Sequence, residues 1–441
     1  MKQRTSWRFK QRKSGVVFQV DGEDAEDEMY IRTANVPLTD EKYCHNVLAN
    51  ASPEMLNGIL GAISPEGSDR FCANMTGFML HSCNSDVRSK VLNVITNERL
   101  DDISLANRGI IIRAIQQELM SPLTRQRDVF QKSAFNVLRG TFGTDLTLLK
   151  EDINSDLEPC PMANSFKGGD LYQLIYGCPD LTQVVSIVQH IAVESLKVES
   201  QYKDKSLIKI ISDIDDTLFP GWADKRYPNH ILYPGVAQLY QTMSRGVDSR
   251  SPSVTFLTAR PRGWFSFGRN LTADRLISLG VSNPTVLNGS VRTGTSADKI
   301  AGLKLDNFVR YATLFPEYKF IFFGDCGQGD ALLASQMLQL FPEKMLGVFI
   351  HDIDPANPVT GDGETKAVYK DQGIVFYENY AAAGIAAYER GLLTRERLDD
   401  VIQSCQNELD KLTFKGPNAN EKYTQRKLEL LKECDRLVKY A

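Results

Sequence analysis

At 441 residues the chain is too long for one compact core, and about two or three units of ordinary domain size are expected. Its 42% hydrophobic and 24% charged residues suit a globular protein and exclude collagen, a long coiled coil and a disordered chain. A formal net charge of −4 provides no basic excess for a nucleic-acid partner.

The opening stretch MKQRTSWRFKQRKSG lacks the apolar core of a secretory signal, and no later segment approaches the ~20 uncharged apolar residues of a membrane span. A cytoplasmic protein is expected. Residues 1–13 are basic, carry Trp7 and Phe9 and contain no acid, which suits peripheral contact with an anionic membrane and equally a solvated, disordered tail. Residues 1–37 are therefore read as a basic arm and linker. The eight cysteines are scattered without a CxxC pair, and Cys326 falls inside the metal site assigned below, so reduced thiols are expected.

From 38 to 204 the pattern predicts an all-α domain. SPEMLNGILGAIS, SDVRSKVLNVITNERL, SLANRGIIIRAIQQEL and DLTQVVSIVQHIAVESL each begin with a capping residue and repeat apolar positions at helical spacing. His190, among Val184, Val185, Ile187 and Ile191, reads as a packed or interfacial histidine rather than a ligand.

Near residue 205 the pattern changes. Short apolar runs alternate with helical segments: LIKIIS, a helix near GVAQLYQTMSRG, SVTFLT, a helix near NLTADRLISLG, PTVLNG, a helix from Leu303 to Phe315, KFIFFG, another helix, MLGVFI and GIVFY. This alternation predicts an α/β domain over 205–380: a parallel, Rossmann-like sheet with helices on both faces, its strands continuous apolar runs because they are buried on both sides. Residues 381–441 follow as amphipathic helices split by the turn KGPNAN.

In open parallel sheets the ligand site lies beyond the carboxyl ends of the strands. The first run ends in Ser212-Asp213-Ile214-Asp215-Asp216-Thr217, the second in Thr258-Ala259-Arg260, and KFIFF in Gly324-Asp325-Cys326-Gly327-Gln328-Gly329-Asp330. Lys304, at the start of the helix before that last strand, completes the set. Asp213, Asp215 and Asp325 would crowd three carboxylates, and two such charges about 4 Å apart repel by roughly 4 kcal/mol at a surface-like effective dielectric. A cation is needed to keep them ionised, and Mg²⁺ suits an all-oxygen site that shares a phosphate oxygen. One carboxylate, Asp213, can then attack phosphorus in line, with Thr258 and Lys304 neutralising the transferring group. Asp215 can protonate the departing alkoxide and later deprotonate water.

Each assignment has a plainer alternative. DIDDT also fits a turn, Thr258 a helix cap, and Lys304 a surface lysine for which Lys299 could substitute. Asp216 and Asp330 serve either the site or only loop amides, with Asp330 a further candidate metal carboxylate. Arg260 and Arg262 bind substrate phosphate or face solvent.

The order DIDDT, TAR, lysine, GDxGxxD resembles the haloacid dehalogenase superfamily of phosphohydrolases. SDIDDTLF, YPGV, Lys304 shortly before Leu314-Phe315-Pro316, and FFGDCGQGD resemble more closely the catalytic domain of actin-patch-type phosphatidate phosphatases, over about residues 205 to 380. That resemblance implies a Rossmann-like fold, Mg²⁺ and dephosphorylation of phosphatidate to diacylglycerol. Thr217 and Arg260 are candidate substrate-binding residues. The resemblance also implies Asp213 as nucleophile, Asp215 as acid/base, and Thr258 and Lys304 as phosphate ligands. On the metal it places Asp325 with Asp213 and the backbone carbonyl of Asp215. TARPRGW stands where that group usually has a serine-containing motif, and Gln328-Gly329 where it has an acidic-polar pair.

Core elements fill most of the intervals on either side of Thr258, leaving only a hairpin-sized flap around GWADKRYPNHILYPG. An uncovered site admits a phosphate displayed on something large, a bilayer above all. The rival readings are a phosphoprotein phosphatase, a soluble-metabolite phosphatase capped by the helical domain, and a non-catalytic membrane or cytoskeletal adaptor. Crowded carboxylates argue against the adaptor.

Overall fold

The computed structural model describes residues 6–12, 15–21, 41–62, 75–120, 124–154, 170–203, 205–221, 223–229, 231–248, 252–261, 285–289 and 296–438. Within these, side chains are described except at 6–21, 41–44, 75, 78, 81–82, 120, 259–261, 288–289 and 438. The helix expected near NLTADRLISLG and Arg262 lie outside the described residues. The chain separates into two compact units, dividing between Ser195 and Leu196. No helix among the described residues is long and apolar enough to cross a membrane.

The first unit departs from its expected beginning. Where a basic tail was predicted, β1 (Ser6–Arg12) and β2 (Gly15–Asp21) form an antiparallel hairpin that pairs Trp7 with Val20 and Phe9 with Phe18. The charge of the run masked an alternation of polar and apolar residues with the period of a strand. The expected helices follow. Pro53–Gly61 is capped by Ser52, whose hydroxyl accepts from the Met55 amide, and Ser85–Asn93 by Asn84. The stretch read as one helix to Leu100 instead passes into a π-turn at Val94–Glu98, after which Arg99 donates to the carbonyls of Leu48, Ala49 and Ala51. Those carbonyls close the helix Glu41–Asn50, so the arginine satisfies acceptors that a helix end leaves open. His190 is a packed histidine, its Nε2 3.0 Å from the Thr141 carbonyl and its ring edge-on to Phe142.

The second unit is built on one six-stranded parallel sheet: β3 (Leu207–Ser212), β4 (Thr255–Pro261), β5 (Thr285–Gly289), β6 (Tyr318–Asp325), β7 (Met345–His351) and β8 (Val375–Tyr377). Its order is β5-β4-β3-β6-β7-β8. Every residue of β3 is buried, which suits its largely apolar run; the exception in charge, Lys209, has its Nζ 4.3 Å from the Phe315 ring centre and 4.9 Å from that of Tyr318. On one face Phe323 packs against Tyr240 of the helix Val236–Met243 and near Tyr380 of the helix Tyr380–Glu389. On the other, Phe320 meets Phe308 of the helix Ala297–Leu314 edge to face. Phe320 and Phe323 differ by an odd number of positions and so face opposite sides of the sheet. The C-terminal helices Arg395–Lys411 and Ala419–Val438 are part of this unit, with Leu398, Val401, Leu409, Leu430 and Leu437 in the same apolar cluster as β3 and β6. Among the described residues, Cys178, Cys326, Cys405 and Cys434 are free thiols.

Candidate active site

The chain runs outward from β3 through β4 to β5, then returns to the other side of β3 to begin β6. Adjacent parallel strands whose connections leave in opposite directions open a crevice at their carboxyl ends. Asp213 follows β3 directly and its amide donates to the Phe323 carbonyl at 2.8 Å, fixing it beside the end of β6. Asp325 closes β6, and Asp330 opens the helix Asp330–Leu340.

Asp213, Asp325 and Asp330 each offer a carboxylate oxygen within 4.8 Å of the others, and all three are buried. These are three of the four carboxylates expected at the metal, Asp215 being the fourth. Gly324 permits the approach, since a side chain there would come within 2.6 Å of the Asp330 Cβ. Lys304 enters from the middle of its helix, about two turns beyond the expected placement at the start. Its Nζ lies 2.5 Å from Asp213 Oδ1 and 2.6 Å from Asp330 Oδ1. Lys299 is exposed, so the choice between the two lysines falls to Lys304.

Burial pushes the Asp213 carboxyl up to about 8: Lys304 opposes the rise, while Asp330 and Asp215 add to it. Burial, with Asp330 and Asp213 alongside, holds Asp325 well above the usual carboxylate range. Burial alone would lower the Lys304 ammonium, but Asp213 and Asp330 raise it above the ordinary lysine value. Among the described residues, Lys304 is the cation in contact with this carboxylate group, through Asp213 and Asp330. Asp325 Oδ1 accepts from the Gly327 amide at 2.6 Å, but Oδ2 is buried with no hydrogen-bond partner. An orphaned oxygen at a crowded all-carboxylate site fits a hard divalent cation held by Asp325, Asp213 and Asp330.

The other expected residues divide. Asp215 is buried beside this group, and a side chain at Gly221 would stand 2.9 Å from its Oδ1. Asp216 has a left-handed backbone, φ 56°, and its carboxylate accepts from the amides of Gly221, Ala223 and Asp224 at 2.8, 2.9 and 3.0 Å. It is the loop-amide reading that holds for Asp216. Thr217 is buried, its Oγ1 lacks a hydrogen-bond partner, and its carbonyl accepts from the Tyr380 hydroxyl. Thr258 is buried near the end of β4, and the Arg260 side chain lies outside the described residues.

Sequence reasoning missed Arg226, His351 and Tyr380. His351 Nδ1 lies 2.7 Å from the Asp216 carbonyl and Nε2 lies 2.9 Å from Arg226 Nη2. The strand-end rule, applied to the run MLGVFI, points to His351-Asp352 as directly as it does to Asp325. Nothing in the sequence marks Tyr380.

Residues 208–352 match the family described as the catalytic domain of phosphatidate phosphatase APP1. No curated protein and no solved structure matches the chain. The matched segment contains Asp213, Asp215, Thr258, Lys304, Asp325 and Asp330, and leaves out both the first unit and the C-terminal helices. From β3 to the residue after β7 the chain therefore carries a phosphatidate-phosphatase-like catalytic domain, similar to one that hydrolyses phosphoric monoesters.

Proposed function

We propose that this domain is a Mg²⁺-dependent phosphatidate phosphatase of the haloacid dehalogenase type that works through an aspartyl-phosphate on Asp213. The convergence of Asp213, Asp325 and Asp330 around the unpartnered Asp325 Oδ2 carries the reading, and the family match supports it. Bound Mg²⁺ would offset the clustered negative charge and share the charge of the phosphate oxygens. Asp213, Asp325 and Asp330 would hold it, with the Asp215 carbonyl as a further oxygen.

The residues of this chain then divide the work. The Asp213 carboxylate attacks phosphorus, and Lys304, already 2.5 Å from Asp213, neutralises charge on the transferring group. Thr258 and the unpartnered Thr217 hydroxyl donate to phosphate oxygens, and Arg260 adds positive charge. Asp215 gives its proton to the leaving oxygen, then takes one from the water that cleaves the acyl phosphate. Only a flap stands between Thr217 and the helix Val236–Met243, which supports a substrate displayed on a bilayer and an enzyme that meets it peripherally from the cytoplasm. The test is phosphate release from phosphatidate in mixed micelles, with Mg²⁺ and with EDTA. Release that needs Mg²⁺ and vanishes in Asp213→Asn supports the reading, and turnover retained by Asp213→Asn removes the nucleophile.

A further inference from the structure

The flap from Gly221 to Gly235 is held from three sides. The Asp216 carboxylate gathers the amides of Gly221, Ala223 and Asp224. From β7, His351 takes the Asp216 carbonyl on Nδ1 and Arg226 on Nε2. An arginine N–H can only donate, so Nε2 is the acceptor and the ring proton sits on Nδ1. Arg226 also grips Asp224 through both carboxylate oxygens at 3.1 Å, and the Tyr233 hydroxyl donates to the same carboxylate at 2.7 Å. The third side is the C-terminal helix Ala419–Val438, outside the matched family segment. Lys422 Nζ donates to the Lys225 carbonyl at 2.8 Å, and the Arg426 guanidinium lies 5.7 Å from the Tyr227 ring centre.

This clasp has a consequence at Asp215. Gly221, first residue of the flap, closes against the Asp215 side chain so tightly that a Cβ would stand 3.0 Å from the Asp215 Cβ. Where the flap sits therefore decides where the Asp215 carboxyl can sit. We propose that Arg226 is a positioning residue for Asp215: by tying the flap to His351 and the Asp216 carbonyl, it fixes the wall against which the acid rests. The C-terminal helix holds the same segment from outside. This inference rests on the reading of Asp215 as acid/base.

In the first half-reaction the bond from phosphorus to the leaving oxygen breaks and its electron pair stays on that oxygen. The Asp215 carboxyl supplies the proton, and an Asp213 oxygen forms the new bond to phosphorus. An alkoxide needs that proton; p-nitrophenolate leaves without it. A misplaced Asp215 therefore slows alkyl phosphates selectively, whereas general damage to the site slows both substrate types alike.

The experiment compares kcat/KM of the full chain with Mg²⁺ on dioctanoyl phosphatidate and on p-nitrophenyl phosphate. Arg226→Lys keeps the charge but not the two-pronged grip on Asp224 and His351. It is expected to lose about tenfold or more on the lipid and no more than about twofold on the nitrophenyl ester. His351→Asn preserves a donor for the Asp216 carbonyl, removes the acceptor for Arg226, and is expected to shift the ratio the same way. Equal losses on both substrates, or no loss on either, overturn the proposal. A wild-type chain that hydrolyses the nitrophenyl ester but not the lipid removes the lipid reading instead, and glycerol phosphate then takes the lipid's place in the same ratio.

Discussion

Lys304 Nζ lies 2.5 Å from Asp213 Oδ1, joining a helix that follows β5 to the first residue beyond β3, and both side chains are buried. An ion pair placed there is coupled to everything around it, because the same ammonium also holds Asp330.

Replacing Lys304 by Met should therefore damage two properties together. Removing the cation leaves Asp213 and Asp330 buried against each other, and breaking such a pair costs about 3–5 kcal/mol. Turnover should fall by about 10²–10³-fold as transition-state charge goes unmet. Thermal melting and single-turnover rates measured on the same sample check both.

Asp325 separates a metal site from a structural carboxylate cluster. Asp325→Asn keeps an acceptor for the Gly327 amide and removes one buried negative charge. The metal-free variant should melt at or above the wild-type temperature. Mg²⁺ at a hundred times its dissociation constant should stabilise wild type by about 2.7 kcal/mol and the variant hardly at all. Calorimetric melts with and without Mg²⁺ make the comparison.

Thr217 tests the substrate side. Its buried Oγ1 has no hydrogen bond to lose, so Thr217→Val should leave the melting temperature unchanged or slightly raised. If the hydroxyl serves the phosphate, KM should rise with little change in melting. Steady-state kinetics beside a melt would show it.

His351 predicts a pH dependence of stability. Burial, and then the neighbouring Arg226, push its imidazole from 6.5 down to about 4. Above pH 6.5 the ring is neutral in both states, and its contribution is fully present. Between about pH 6.5 and about pH 4 the unfolded chain takes up a proton that the fold refuses, so stability falls with pH, by at most about 3 kcal/mol. Denaturant unfolding of His351→Asn should lack this component between pH 7 and pH 4.

Much of the second unit was legible because the physics of a buried parallel strand writes itself as an apolar run, and LIKIIS, KFIFFG and MLGVFI all became strands. The order of strands was not, yet it is the switch between β3 and β6 that brings Asp213 to Asp325. Lys299 and Lys304 were inseparable in sequence because they stand about 140° apart around one helix, and only the rotation of that helix decides which is buried. Whether Asp330 served the site or only loop amides was open in sequence, because its approach to Asp325 depends on the missing side chain at Gly324. In the first unit the basic charge of residues 1–13 hid a strand alternation, and Trp7 and Phe9 now pair with Val20 and Phe18.

The central claim is that Asp213 becomes phosphorylated. Rapid acid quench of the full chain during turnover of phosphatidate labelled in its phosphate, with Mg²⁺, followed by peptide mapping, tests it most directly. The account predicts a hydroxylamine-labile label on the peptide bearing Asp213, absent from Asp213→Asn. A label on another residue, or turnover by Asp213→Asn at the wild-type rate, would contradict it.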